Sequence, residues 1–353
     1  MQLYNLEFTE EEIRVAAAAD RLLSMEIEFS RACNFRCAYC YLADRTASAG
    51  ELSRAEIKDV ILQAKELGAR KIIILGGEPS IYPHLVEMLR YLGSLGLQIE
   101  IFTNGTGVTE ELAEVLAEEK ARVVVKMNSL DPSVQDRLAG KKGAFAIIGQ
   151  ALEHLRRAGY PSDDLFLAAS TIICRQNLAE LPDLWHWLRT RSIEPYFEIL
   201  TPQANALENT WLGVEAAELR ELFVQLSTMD RERFGRIWEP QPPLVGNRCM
   251  RHQVSCVVTA NGEVMPCVGV TIALENIRNQ RLADILKNSE VVRNLKNYRE
   301  MIKGACGSCE KSGECYGCRG AAYQLTGDYL ASDPTCWRHG SGKVDGCEAC
   351  DHL

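Results

Sequence analysis

From residue 24 to about residue 200 one pattern repeats along the chain. Short runs rich in apolar and β-branched residues, at 25–29, 71–75, 98–103, 122–127, 165–173 and 196–200, alternate with segments at 53–67, 83–95, 110–119, 145–158 and 178–190. In those segments apolar residues recur every three or four positions. Runs of the first kind fit strands, and the three-to-four spacing lines one face of a helix. Six βα units of about 25 to 40 residues predict a parallel sheet, since consecutive parallel strands need a crossover, usually helical. Six are too few to close an eight-stranded barrel. The α/β fold expected is therefore a partial (β/α)6 barrel, with a doubly wound sheet as the competing arrangement. Ser53, with Glu56 three residues on, reads as a capping box, and Asn177 as the cap before Leu178. The first 24 residues read as one amphipathic helix.

The pattern breaks at Gln241-Pro242-Pro243-Leu244-Val245-Gly246, which reads as a linker. The expected division is an N-terminal helix over 1–24, a barrel over 25–240 and a small cysteine-rich domain over 241–353. In the last region Asn261-Gly262, between 257–259 and 264–265, predicts a hairpin, and 282–298 predicts one helix. Neither supplies a core, so bound metal is expected to help hold this region together.

Composition narrows the function classes. With 46% hydrophobic and 25% charged residues the chain is ordinary globular protein. It carries 48 acidic against 39 basic residues, a net charge of −9, and no run of five basic residues. Nucleic acid and anionic membrane are poor partners for such a surface. The N-terminus lacks a basic segment followed by an apolar one, and no stretch approaches the length of apolar chain that spans a bilayer. A cytoplasmic location is expected.

That location changes the meaning of the 14 cysteines. A chain of this size needs no disulfide staples, and a reducing compartment does not form them. Dense thiols there point to soft-metal ligation, by zinc or by iron–sulfur clusters. Cys33, Cys37 and Cys40 follow the first predicted strand at spacings of four and three, with no fourth cysteine nearby. Each iron of a cubane needs one ligand beyond its sulfides, so three thiolates leave one iron open to a small molecule.

With Tyr39 before its last cysteine, this triplet resembles the hallmark of the radical S-adenosylmethionine enzymes. Leu75-Gly76-Gly77-Glu78-Pro79, at the end of the second strand, resembles the family's glycine-rich segment, which meets the amino group of the bound methionine moiety. Two glycines let backbone carbonyls approach an ammonium, and Glu78 supplies opposite charge. Further candidates fall at carboxyl ends of strands, where a barrel builds its site: Thr103 and Asn104 after strand three, Asn128 and Ser129 after strand four, Cys174 and Arg175 after strand five. The resemblance implies a ribose contact after strand four, for which Ser129 is the first nominee and Asn128 the second. Each of these residues is also an ordinary turn former or cap. Lys126 departs from what many relatives carry at its position. The implied chemistry is reductive cleavage of S-adenosylmethionine by a 4Fe-4S cluster on Cys33, Cys37 and Cys40, giving a 5′-deoxyadenosyl radical that abstracts hydrogen from a substrate.

Cys249, Gly262, Cys267, Cys306, Cys309, Cys315, Cys318 and Cys336 resemble the SPASM extension of a subgroup of these enzymes, which usually holds two auxiliary 4Fe-4S clusters. Cys315 and Cys318 are separated by two residues where that pattern usually has three. The resemblance implies Cys249, Cys256, Cys267 and Cys318 for the first auxiliary cluster and Cys306, Cys309, Cys315 and Cys336 for the second. Paired Cys-x2-Cys spacing also suits zinc knots. Cys174, Cys347 and Cys350 remain unassigned. The subgroup most often modifies peptides or proteins, which makes a peptide or protein maturase the expected function. The alternatives are a maturase of a small cofactor precursor, of tetrapyrrole or metallopterin type, and a non-catalytic iron–sulfur or zinc protein. An external one-electron reductant such as a flavodoxin or ferredoxin is implied. So is a separate peptide-recognition protein, because 24 residues before the first strand are too few for a fused recognition domain.

Overall fold

The computed structural model describes residues 8–339. Helix α1 (Glu10–Ala18) opens at a capping box of Thr9 with Glu12 and ends well short of residue 24. Six strands follow, β1 (Ser24–Glu28), β2 (Lys71–Leu75), β3 (Gln98–Thr103), β4 (Arg122–Lys126), β5 (Leu167–Ile173) and β6 (Glu194–Ile199). They alternate with α2 (Arg54–Glu66), α3 (Leu85–Ser94), α4 (Glu110–Glu118), α5 (Pro132–Ala139), α6 (Ala144–Arg157) and α7 (Leu181–Arg189). The expected box at Ser53 and Glu56 forms. Asn177 makes no side-chain cap. Its amide donates instead to the carbonyls of Asn128 and Ile172, and a short 3-10 turn precedes α7.

All six strands are parallel and each lies beside its neighbours in sequence. A doubly wound sheet reverses its strand order at a switch point; this one does not, so its helices share one face and the sheet curls into a partial barrel. Alternation within the strands separates two environments. Met25, Ile27, Ile72, Ile74, Ile99, Ile101, Val123 and Val125 join helix residues such as Ile57, Leu89, Leu116 and Trp185 in one apolar core. Their neighbours Glu26, Lys71, Glu100, Phe102, Lys126 and Glu198 line the inner side. That side is polar because it pairs its own charges: Glu100 bridges Lys71 at 3.2 Å and Arg122 at 3.0 Å, and Glu26 meets Arg251 at 2.9 Å.

An open sheet has two unpaired edges. The segment after β6 covers both. Residues 243–245 bond along β6, Ile199 N–H donating to Pro243 and Val245 N–H to Phe197. β7 (Val257–Val258) then pairs in parallel with β1 and leads through the Asn261-Gly262 turn into β8 (Glu263–Met265) and β9 (Glu275–Asn276). Several helices go beyond the sequence expectation, among them α5, the short Asn205–Glu208 and the long Ala216–Phe234. The last is pinned where Asp230 accepts from Trp185, Trp238 and Arg189. The helix expected over 282–298 is divided, because Ser289 caps a second helix, Glu290–Lys296, directly after Leu282–Asn288. Among the described residues no helix is long and apolar enough to cross a membrane.

Candidate functional site

The loop after β1 carries Cys33, Cys37 and Cys40 over the carboxyl ends of the strands, and four sets of contacts hold it. Arg36 and Ala38 N–H groups donate to the carbonyls of Ala139 and Leu138 at the end of α5. Asn205 donates its side-chain amide to Cys37 O and its backbone N–H to Cys40 O, while Asn209 donates to Ala38 O. Tyr41 O–H donates to Glu28, whose other oxygen accepts from Ala260 of the β7–β8 hairpin. The fourth support is the glycine pair. Gly77 N–H donates to Ser30 O and Glu78 N–H to Ala32 O. A Cβ at Gly76 would collide with Ser30 O, and one at Gly77 with the carbonyls of Arg31 and Ala32. The glycines therefore let the cysteine loop close onto the second strand, a role beyond the carbonyl approach expected from sequence.

Glu78 is buried and its carboxylate is engaged. One oxygen accepts from Ser80 N–H at 2.9 Å and Thr103 O–H at 2.5 Å, the other from Asn104 N–H at 2.6 Å. It thereby fixes the turn after β3, whose Asn104 amide donates to Asn34 and reaches Cys33 Sγ at 3.9 Å. Pro79 starts the 3-10 turn that Glu78 caps. Tyr39 bonds to the Cys37 thiol and is itself fixed by the Asn128 amide at 2.6 Å. Asn128 is fully spent, since its oxygen accepts from Ile172 N–H and its N–H donates to Gln135. Ser129 bonds into its own turn, accepting from Asp131 N–H. Neither lines the cleft. Lys126 does, with its ammonium 2.9 Å from Ser170 and 3.9 Å from Glu198. Cys174 is a buried thiol bonded to Asn177, away from the other sulfurs' cleft.

Cys33, Cys37, Cys40, Gly76, Gly77, Glu78, Thr103, Asn104 and Lys126 surround one cleft of about 1210 Å³. Burial pushes all three thiols above their ordinary range, Cys37 to about 12. Thiolate ligation there requires a metal to displace the protons. The donor set fits a three-thiolate cluster: three sulfurs on one clamped loop, facing one cleft.

The last third gathers two further sulfur sets. Cys306, Cys309, Cys315 and Cys336 surround one small cavity. Burial raises the thiols of Cys267 and Cys318 to about 12, and Cys249 lies close enough to both to add to that rise. Most of these sulfurs accept a hydrogen bond, as cluster thiolates do: Cys267 from Val270, Cys306 from Asp333, Cys315 from Gly317, Cys318 from Ala321 and Cys249 from Tyr316 O–H. Cys256 stands apart, in the main apolar core, with Glu26 as the one charge that acts on it among the described residues. Among the described residues no three His, Cys, Asp or Glu side chains crowd together as ligands of one metal ion do. Cys347 and Cys350 lie outside the described residues.

A partial parallel barrel with a three-cysteine loop and a glycine-rich turn at its mouth defines a class of iron–sulfur enzyme, and sequence comparison agrees. Residues 27–188 match the radical SAM superfamily, and residues 249–318 match the iron–sulfur cluster-binding SPASM domain. The chain is 30% identical over 344 residues to the AdoMet-dependent heme synthase of Methanosarcina barkeri, covering 90% of this chain and 96% of that one. It is 28% identical to the PqqA peptide cyclase of Rhizobium meliloti, over 90% of this chain and 87% of that one. In fold it is similar to Streptococcus suis SuiB bound to the precursor peptide SuiA, with a TM-score of 0.69 at 17% identity over 96% of this chain and 84% of that one. The chain belongs to the radical SAM superfamily, in the subgroup that carries a SPASM domain. S-adenosylmethionine and iron–sulfur clusters are its cofactors.

Proposed function

We propose that this enzyme is a maturase that removes hydrogen from a peptide or protein substrate. The observation that carries the choice of substrate is Gln203. Its side chain borders the cleft, the residue is 5% exposed, and its amide oxygen meets no donor among the described residues. A buried acceptor left unmade costs about 1–3 kcal/mol, which a peptide N–H entering the cleft would recover. Asn205, in the same segment, is committed to the cysteine loop and is not available to a substrate.

When bound, a cluster on Cys33, Cys37 and Cys40 supplies the electron that cleaves S-adenosylmethionine, and the 5′-deoxyadenosyl radical so formed takes the substrate hydrogen. The chain's own residues position and shield. Glu78 and Asn104 shape the turn against which the cosubstrate binds, Tyr39 and Asn128 orient Cys37, and Phe35, Phe102 and Tyr196 give the cleft walls that exclude water. We assign Cys33, Cys37 and Cys40 to the radical-generating cluster and Gly76, Gly77, Glu78, Thr103 and Asn104 to the cosubstrate site. Cys306, Cys309, Cys315 and Cys336 are assigned to an auxiliary cluster, and Cys249, Cys267 and Cys318 to another. The reductant is a flavodoxin or ferredoxin of the cytoplasm, and a separate protein presents the peptide.

A second reading, a tetrapyrrole precursor as substrate, is favoured by Lys126. Its ammonium points into the cleft beside Ser170 and would receive a carboxylate of such a molecule. The name of the Methanosarcina barkeri relative accords with it. The readings separate in one experiment. Anaerobic, reduced protein should form 5′-deoxyadenosine, and Cys33→Ala, Cys37→Ala or Cys40→Ala should abolish it. A peptide encoded beside this gene should then change mass in the presence of the intact enzyme, and Gln203→Ala should slow that change. Consumption of an iron porphyrin carboxylate with no change in the peptide overturns the peptide reading and leaves the radical chemistry standing.

A further inference from the structure

Arg319 follows Cys318 directly and opens the helix Arg319–Thr326. It is 1% exposed, among the largest fully buried side chains of the protein. Its Nη1 donates to the carbonyls of Tyr329 at 3.0 Å and Ala331 at 2.5 Å, which fixes the guanidinium in place. Its Nε and Nη2 find no acceptor among the described residues. The carboxylates nearby are spent elsewhere. Asp333 accepts from Cys318 N–H at 2.7 Å and from Thr335, and Asp328 pairs with Lys303 at 2.7 Å. Asp328 attracts the guanidinium without bonding to it, so two buried N–H donors remain unmade. They call for an anionic acceptor.

Gly317 shows what that is. A Cβ there would lie 2.9 Å from Arg319 Nη2 and 3.3 Å from Cys306 Sγ, so guanidinium and thiol both border the space that a side chain at Gly317 would fill. Gly317 also has a positive φ of 63°, which puts the chain between Cys315 and Cys318 in the left-handed region. Cys306 is one of four cysteines around a single cavity. A cubane core with two positive charges, held by four thiolates, is a dianion, and a dianion beside Cys306 would be the anionic neighbour of this guanidinium.

We propose that Arg319 is the counter-cation of the second auxiliary cluster and sets its reduction potential. On reduction the cluster takes one electron from the external reductant; no bond is made or broken, and the dianion becomes a trianion. The guanidinium attracts the trianion more strongly, so it favours the reduced state. Removing the cation must make that cluster harder to reduce. The inference rests on the assignment of Cys306, Cys309, Cys315 and Cys336 to a cluster. Metal analysis of the reconstituted full chain tests that premise separately, since zinc in this site would overturn it without touching the radical-generating triplet.

The test is a dithionite titration of the anaerobic holoenzyme followed by electron paramagnetic resonance, with Arg319→Met and Arg319→Lys beside the parent. In Arg319→Met the reduction equilibrium of the second auxiliary cluster should shift at least tenfold toward the oxidised form, about 59 mV for one electron. Arg319→Lys should retain most of the parental equilibrium. An unchanged equilibrium in Arg319→Met, or a shift confined to another cluster, overturns the proposal. Should Arg319→Met fail to assemble the second auxiliary cluster, Arg319→Lys decides. Assembly with near-parental equilibrium supports the role of charge, and loss of the cluster in both variants shows that the guanidinium's shape matters instead and overturns it.

Discussion

Replacing Glu78 by Gln and by Ala separates two roles that one carboxylate could play. If Glu78 served only as opposite charge for the cosubstrate's ammonium, both variants would remove that charge and weaken binding equally. The hydrogen bonds predict otherwise. Glu78→Ala leaves three buried donors, Ser80 N–H, Thr103 O–H and Asn104 N–H, without their acceptor. At the low end of about 1 kcal/mol for each orphan, since water from the cleft can reach some of them, the turn after β3 loses about 3 kcal/mol of ordering. That is roughly a hundredfold in affinity for a ligand that needs the turn in place. Glu78→Gln keeps one oxygen for Ser80 and Thr103 and turns its NH2 toward Asn104 N–H, so it forfeits one bond, about 1.5 kcal/mol or roughly tenfold. Calorimetry of S-adenosylmethionine binding to anaerobic protein of matched iron content measures both. Equal losses in the two variants, or no loss in either, refutes the reasoning.

Three further outcomes follow from the same contacts. Asn205→Ala removes the donor to Cys37 O and should speed loss of iron from the triplet to a chelator by about fivefold, from about 1 kcal/mol of lost support; release at the parental rate sinks it. Cys256→Ala should keep its iron, whereas Cys267→Ala should lose about four atoms per chain, read by iron analysis after reconstitution; equal losses would return Cys256 to the ligand set. Burial alone would raise the pKa of Glu100, but Lys71 and Arg122 outweigh it and hold the carboxyl below its ordinary 4.5. Its stabilisation is therefore present above that pH and lost as pH falls through the depressed folded value. Glu100→Gln should cost on the order of 3 kcal/mol near neutral pH and flatten acid unfolding, and a variant with the parental pH profile in denaturant titrations would contradict this.

The six strands were legible as short apolar, β-branched runs between segments of three-to-four spacing; their faces were not, since in Lys71-Ile72-Ile73-Ile74-Leu75 the inward Ile73 is as apolar as Ile72 and Ile74, which meet the helices. Whether those strands wind as a barrel or doubly was not legible, since both architectures share the alternation and differ in strand order. The cysteine triplet and the glycine pair were legible as a motif. What the glycines do was not, because the collision they avoid is with Ser30, Arg31 and Ala32, far away in the chain. The residues after β4 show the same limit. Sequence offers Asn128 and Ser129 as polar residues past a strand end, but the pleat decides which positions face inward. The last inward residue of β4 is Lys126, and Asn128 is drawn back to hold Tyr39. Ser289 dividing a helix, and Arg319 buried beside Cys306, depend likewise on partners that no local pattern names.

The segment that carries the auxiliary cysteines is also the segment that finishes the sheet, and this joins metal content to the stability of the barrel. Residues 243–245 cover the β6 edge, β7 covers the β1 edge, and Cys249 and Cys267 flank these contacts in sequence. Between them Arg251 reaches into the barrel, 2.9 Å from Glu26 and 3.2 Å from Tyr196, and borders both the cosubstrate cleft and the cavity beneath it. The helices of this region are short, and its apolar clusters are small beside the main core. Cluster ligation must therefore supply much of what holds it against the sheet. If the segment loosens, both edges lose backbone partners and Glu26 loses the cation that offsets the cost of its burial. Removal of the auxiliary clusters should accordingly lower the thermal midpoint of the whole chain rather than melt the last third alone. Circular dichroism of the helices α2 to α7 reports the barrel, and iron analysis reports the clusters. A barrel transition whose midpoint stays fixed as auxiliary iron is withdrawn would show that the two edges are held without the metal.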